Sequence, residues 1–230
     1  MTLLEAIKQR HSVRRYVHKP LSAEIVETLR KKIEECNAEG GLHIQLVTNE
    51  TRAFTGLFSY GKFFGVENYI VMVGKKADDL DERVGYYGEQ LVLLAQTLGL
   101  NTCWAGLSYR RVDEAYSVGD DEKLTCMIAL GYGATQGHKR KSKTAEQVSN
   151  ISSDSPEWFR NGVEAALLAP TAINQQKFSF TLLPNEQDTE DKPKVLAKRG
   201  FSMVGYTKMD IGIARLHFEI GAGTENFDWA

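Results

Sequence analysis

The sequence predicts a mixed α+β protein made of two half-domains. Segments of helical period alternate with short continuous apolar runs, a polar stretch at residues 134–155 interrupts the apolar pattern, and a similar order of elements returns after it. The halves divide as 1–150 and 151–230.

In the first half, Leu3, Leu4 and Ile7 mark a short apolar helix. Ser22 suits the N-cap of a helix through Ile25, Val26, Leu29 and Ile33 that ends near Gly40 and Gly41. A strand follows over about residues 42–48. Residues 51–65 are rich in glycine and aromatics (Phe54, Phe58, Tyr60, Phe63, Phe64) without a clean period, which reads as an ordered loop or broken helix. Tyr69 to Gly74 is a continuous apolar run and predicts a buried strand. Val84, Leu91, Leu94, Ala95 and Leu98 recur at helical spacing over 82–99, with Gly99 as a natural stop. Met127 to Leu130, ahead of Gly131, Tyr132 and Gly133, predicts another buried strand.

In the second half, Ser155, Pro156 and Glu157 open a helix, with Ser155 as cap, proline in the first turn and an acid against the helix dipole. It runs through Trp158, Val163, Ala166 and Leu167 until Pro170 stops it. Phe178, Phe180 and Leu182 alternate as a strand with one buried face. A last helix over about 208–221 carries Ile211, Gly212, Ala214 and Phe218. Each half thus offers a helix, a strand and a later long helix, a repeat visible in element order and hardly in residues.

With 230 residues and 42% hydrophobic content the chain can bury a substantial core. A net charge of −2 argues against a dedicated nucleic-acid binder. Cys36, Cys103 and Cys126 have neither zinc-ligand spacing nor an even-numbered framework, so reduced thiols, no metal site and a cytoplasmic setting are expected. Neither an apolar signal core nor a run of membrane-spanning length occurs, so no membrane association is expected.

Four segments carry candidate chemistry. Arg10, Ser12 and Arg14 alternate, and in an extended backbone residues two apart point to one side. Two guanidinium forks beside a hydroxyl suit a phosphate monoester, while His11, Val13 and Arg15 fall on the other edge. A solvated exit turn after the first helix is the competing reading. Ala169 to Gln176 places three amides and a hydroxyl between a helix stop and a strand, a set that can read a polyol or the edge of a heterocycle, or merely cap its own backbone. Gly99 to Leu107 puts small residues after Trp104, where a ligand can approach backbone N–H groups; a plain helix-to-strand turn competes. His138 to Lys143 is a basic cluster, whose usual explanation is a solvated charge run.

Taken together, these segments resemble the nitroreductase family of FMN-dependent oxidoreductases. The family's Arg-x-Ser-x-Arg/Lys-x-aromatic motif is matched by Arg10, Ser12, Arg14 and Tyr16, and its Ala-Pro-Ser/Thr-Ala-x-Asn-x-Gln loop by Ala169 to Gln176. Its Gly-Leu-Gly/Asn-Thr-Cys-Trp segment is matched by Gly99 to Trp104, and the basic residues after a Leu-Gly-Tyr strand end by Lys139 to Lys143 after Leu130, Gly131 and Tyr132. The resemblance covers most of the chain and implies an α-β-α sandwich. One departure stands out. The family's Ala-Pro-Ser loop follows the first long helix, but the slot at Cys36 to Leu42 lacks it, and the loop lies in the second half. That looks like a tandem variant in which two half-domains of one chain form a monomeric pseudo-dimer in place of the family's homodimer.

The resemblance implies that Arg10, Ser12 and one or two of Lys139, Arg140, Lys141 and Lys143 hold the FMN phosphate, with His11 counted among the cofactor contacts of the same segment. It places Arg14 toward flavin N1 and the C2 carbonyl, the backbone of Ala105 and Gly106 near N5, and Thr171, Asn174 and Gln176 on the opposite wall. No side chain need act as nucleophile or metal ligand. The implied activity is hydride transfer through flavin N5 from NAD(P)H to a nitroaromatic, quinone or related small-molecule acceptor. Two rivals remain: a non-catalytic flavin-binding protein, distinguished by slow NAD(P)H oxidation, and a phosphate- or nucleotide-binding module without flavin, distinguished by a colourless protein.

Overall fold

Ser22 and Gly41 bracket the first long helix as their chemistry requires. In the computed structural model, which describes residues 1–56, 62–137, 140–184 and 192–230, Ser22 Oγ accepts the Ile25 N–H at the start of α2 (Ala23–Gly40). Gly41 ends it in the left-handed region at φ 57°, its N–H returning to the Asn37 carbonyl. Asn37 then steers the exit, donating to and accepting from the backbone of Ile44. Before α2, the chain forms α1 (Leu3–Gln9), which buries Ala6 and Ile7 and leaves Leu3 and Leu4 exposed.

The chain divides into two compact units. The first, comprising residue 1 and residues 9–80 and 90–139, holds an antiparallel sheet of β1 (Gln45–Val47), β2 (Asn68–Lys75), β3 (Asn101–Ala105) and β4 (Glu122–Gly131), in the order β1-β2-β4-β3. The apolar runs lie at its centre, with Ile70 opposite Ile128 and Cys103 opposite Ala129. One face buries Val13, Tyr16, Phe54, Phe63, Tyr69 and Met127 together. Phe54 meets Phe63 edge-on at 4.9 Å, so the aromatic segment 51–65 supplies core residues on both sides of 57–61, which lie outside the described residues.

The second unit comprises residues 2–8, 81–89 and 140–230. It holds α4 (Glu157–Leu167), α5 (Thr207–Ala222) and a sheet of β5 (Phe178–Leu182), β6 (Lys194–Arg199) and β7 (Asp228–Trp229), in which β6 and β7 are parallel. The predicted alternation in β5 holds: Phe178 and Phe180 are buried, and Phe180 stacks on Phe218 at 4.7 Å. Helix α4 departs from expectation at its start. Pro156, not Ser155, occupies the N-cap, its carbonyl taking the N–H groups of Phe159 and Arg160, while the Ser155 hydroxyl accepts the Ser152 N–H.

Helix α3 (Leu80–Thr97) runs through both units, its residues 81–89 counting with the second. There it approaches α5 closely enough that a Cβ on Gly85 would lie 2.1 Å from the Met209 carbonyl oxygen, and one on Gly212 2.1 Å from that of Glu82. Beside this crossing, His217 is fully buried between the Ala165 carbonyl at 3.1 Å and Glu89 Oε1 at 2.9 Å. Arg215 pairs with Glu82, and Tyr86 donates to Glu219. Among the described residues no helix is long and apolar enough to cross a membrane.

Candidate functional site

In the first unit the motif segment is extended and stitched into the sheet end. Val13 N donates to the Thr102 carbonyl, Tyr16 N to that of Phe64, and Val17 N to that of Tyr132. This fixes which way each side chain turns. Val13 and Tyr16 enter the core, where the Tyr16 hydroxyl donates to the Val13 carbonyl at 2.6 Å, and Arg15 lies over the Phe64 ring at 4.8 Å. Cys103 lies in the same core as Val13 and Tyr16. Burial pushes its thiol up, against the opposing pull of Arg14, Arg10 and the Ser12 hydroxyl. Arg10 is buried and Arg14 is exposed.

The backbone around this cluster is tight. A Cβ on Gly137 would lie 2.5 Å from His11 Cβ, and one on Gly65 2.4 Å from the Tyr16 carbonyl oxygen, so only glycine fits at either position. Asn101 Oδ1 takes the Gly133 N–H at 3.0 Å and pins the turn after β4. Ala105 ends β3 in the interior, and Gly106 follows it half-buried. His138 and Lys139 lie outside the described residues.

In the second unit the amide loop is a dense local network. Arg140 donates through one guanidinium nitrogen to the carbonyls of Leu167 and Ala169, satisfying the end of α4. Gln176 is 2% exposed, and its amide is engaged on both sides: Nε2 donates to the Leu167 carbonyl and Ser142 Oγ, and Oε1 accepts the Lys143 N–H. The Thr171 hydroxyl accepts the Gln176 N–H, and Asn174 Nδ2 donates to the carbonyl of Lys141, an exposed residue. Burial, with Lys177 nearby, pulls the Lys143 ammonium below the usual lysine range.

Two acceptors in this loop stand open. Asn174 Oδ1 and Gln175 Oε1 are buried and have no hydrogen-bond partner among the described residues. Their amides are oriented by donors already placed, since Asn174 Nδ2 meets Lys141 and Gln175 Nε2 meets both the Gly205 carbonyl and Asp210 Oδ2. A buried acceptor left unmade is costly, so a donor from a ligand or water is called for at each. The loop pays in backbone strain as well: Ile173, Asn174 and Gln176 lie at φ 47°, 58° and 44°, and a β-branched residue such as Ile173 is a genuine outlier there.

Asp210, which belongs to no motif, turns out to hold the loop. It is 3% exposed on α5, where Oδ1 accepts the Ala172 N–H at 2.9 Å and Oδ2 the Gln175 Nε2 at 2.7 Å. Burial raises its carboxyl to about 6 despite those two donors. The one signal available in the sequence was a lone acid inside the apolar run Met209 to Ile213. Among the described residues no group of three or more histidine, cysteine or acidic side chains could hold a metal ion.

A sequence model of the family described as Putative TM nitroreductase matches residues 2–222. A putative nitroreductase from Thermotoga maritima shares the fold at a TM-score of 0.62 and 23% identity, over 96% of this chain and 83% of that one. A putative nitroreductase from Desulfovibrio desulfuricans, solved in complex with FMN, superposes at a TM-score of 0.52 and 18% identity, over 68% of this chain and 99% of the other. A nitroreductase family protein from Clostridium difficile does so at 0.50 and 16% identity, over 68% of this chain and 100% of its own. Among curated proteins none matches.

Proposed function

The chain belongs to the putative TM nitroreductase family, and from that membership we propose that it is an FMN-dependent oxidoreductase that takes electrons from NAD(P)H and delivers them to a nitroaromatic, quinone or related small acceptor. The observation that carries the proposal is the Arg10 to Arg14 segment bridged at Ser12 to Thr102 of β3, which offers two fixed cations, one buried and one exposed, and a hydroxyl at alternate positions. Such a set suits the terminal phosphate of FMN, and the Desulfovibrio desulfuricans relative was solved with FMN.

The residues present fit the cofactor chemically. Arg10, with its buried guanidinium, and Ser12 are assigned to the phosphate, with His11 beside them, Lys139 and Lys141 adding positive charge, and Arg14 as the cation that favours an anionic reduced ring. Ala105 and Gly106 offer backbone where small side chains permit close approach. Asn174 Oδ1 is an open buried acceptor, and the flavin imide N–H is a donor of the kind it lacks. Thr171, Gln176, Arg140 and Lys143 act by building the loop that presents Asn174. When bound, FMN supplies two-electron hydride chemistry at N5. The protein's part is to bind, orient and bias the charge of the ring.

The tandem organisation, 1–150 followed by 151–230 in a monomeric pseudo-dimer, belongs to the same proposal. Relatives matched over 99% and 100% of their own length account for 68% of this chain, which leaves about a third of it outside the match. The visible absorption spectrum of the purified protein, with chromatography of heat-released cofactor, tests the proposal. A flavin spectrum and FMN are expected; FAD, or no flavin even after reconstitution, would overturn it.

A further inference from the structure

We propose that Asp210 is a positioning residue for the cofactor: from α5 it clamps the Ala169–Gln176 loop through Ala172 and Gln175, and so aims the open side-chain oxygens of Asn174 and Gln175 at the ligand. The proposal rests on the reading that this loop contacts FMN.

Three observations converge on it. The carboxylate is buried, and each of its oxygens is taken by a different point of the loop, one backbone and one side chain, so it fixes position and orientation together. The loop it holds carries three non-glycine residues in the left-handed region, a conformation that relaxes unless the surroundings over-determine it. The amide it orients, that of Gln175, also donates to the Gly205 carbonyl, and with its nitrogen engaged this way its oxygen is left open, as is that of Asn174. A carboxylate serving only to stabilise the fold would leave no such pair of buried acceptors in consecutive residues.

The test compares Asp210→Leu, which removes both acceptors at similar size, with Asp210→Asn. The asparagine retains an acceptor for the Ala172 N–H, and its own N–H can meet Gln175 Oε1 once that amide rotates. Two readouts are taken on the full chain: amide hydrogen exchange at Ala172 and Gln176 without cofactor, and the FMN dissociation constant from quenching of flavin fluorescence. In Asp210→Leu both exchange rate and dissociation constant should rise by about tenfold or more; in Asp210→Asn the exchange rate should return to within about threefold of the parent, while the dissociation constant stays raised because the rotated Gln175 amide has spent its oxygen on the new side chain. Unchanged exchange at Ala172 in Asp210→Leu overturns the proposal, as does unchanged FMN affinity in that variant when Asn174→Ala binds FMN weakly. Faster exchange with unchanged FMN affinity in both Asp210→Leu and Asn174→Ala confirms the clamp and sinks the reading that the loop contacts FMN. Should Asp210→Leu fail to fold, Gln175→Leu removes one arm of the clamp, and unchanged exchange at Ala172 and Gln176 there overturns the proposal.

Discussion

Lys143 donates twice to Gln176: its backbone N–H to Gln176 Oε1 at 2.9 Å, and its Nζ to the Gln176 carbonyl at 2.6 Å. The lysine nitrogen is therefore part of the loop's frame.

Gln176→Ala should cost about 1–3 kcal/mol of stability, because it leaves the Lys143 N–H without its partner and takes one of several donors from the Leu167 carbonyl. Asn174→Ala, which removes one side-chain donor from an exposed carbonyl, should cost less than about 1 kcal/mol. Urea denaturation of the two variants measures the difference, and equal midpoints would show that the Gln176 network is not what holds the loop.

Asp210 sets a pH dependence whose sign is fixed by its raised carboxyl. Folded, it titrates at about 6 against an ordinary 3.8 for an aspartate, so between those values the folded state holds a proton that the unfolded chain has released. Its contribution to stability is therefore full below about pH 4 and is lost as pH rises through about 6, a change of order 3 kcal/mol. The stability difference between the parent and Asp210→Asn, measured by denaturant titration from pH 4 to 7, should fall by that order across the window. A flat difference would mean that Asp210 ionises as an ordinary carboxyl.

Arg10 and Arg14 should fail differently. Arg10 is buried, and a charged hydrogen bond to a phosphate is worth roughly 1.5–3 kcal/mol, so Arg10→Ala should weaken FMN binding by about tenfold or more. Arg14 is exposed, and Arg14→Ala should lower the flavin reduction potential more than it lowers affinity. Fluorescence titration and a redox titration separate the two effects. Parental affinity in Arg10→Ala would refute its phosphate role.

The crossing of α3 and α5 should not tolerate a single methyl group. A Cβ at Gly212 would meet the Glu82 carbonyl oxygen at 2.1 Å and the Tyr86 nitrogen at 2.9 Å, both backbone atoms that cannot step aside. Gly212→Ala should cost about 1–3 kcal/mol or more by overpacking. Gly99→Ala, where nothing lies within 4 Å but φ is +76°, should cost only about 1–2 kcal/mol of local strain. Thermal melting distinguishes them, and an equal loss would mean that the helices move apart easily.

How much of this was legible follows from what sequence patterns encode. Strands β2 and β4 were readable because both faces of a central strand are buried, which leaves a continuous apolar run. Helix α2 was readable because a serine and a glycine mark ends by local chemistry. Strand β6 was not, since Lys194 to Arg199 buries Val195 alone and shows no alternation. The basic cluster displayed its charges but not their partners: nothing local says that Arg140 caps the end of α4, a contact made 27 residues away. Asp210 was illegible for the same reason, because its partners lie 35 and 38 residues earlier.

Helix α3 commits residues 81–89 to a unit whose largest part, residues 140–230, is made later in the chain. Glu82, Tyr86 and Glu89 find Arg215, Glu219 and His217 at separations of 128 to 133 residues. At a synthesis rate of about 5–20 residues per second, that face stays uncovered on the nascent chain for roughly 6–27 s. The loop entropy of closing so long a span must also be met before any of those contacts forms. The glycines that let the helices touch thus act late, once residues 207–222 exist to meet that face.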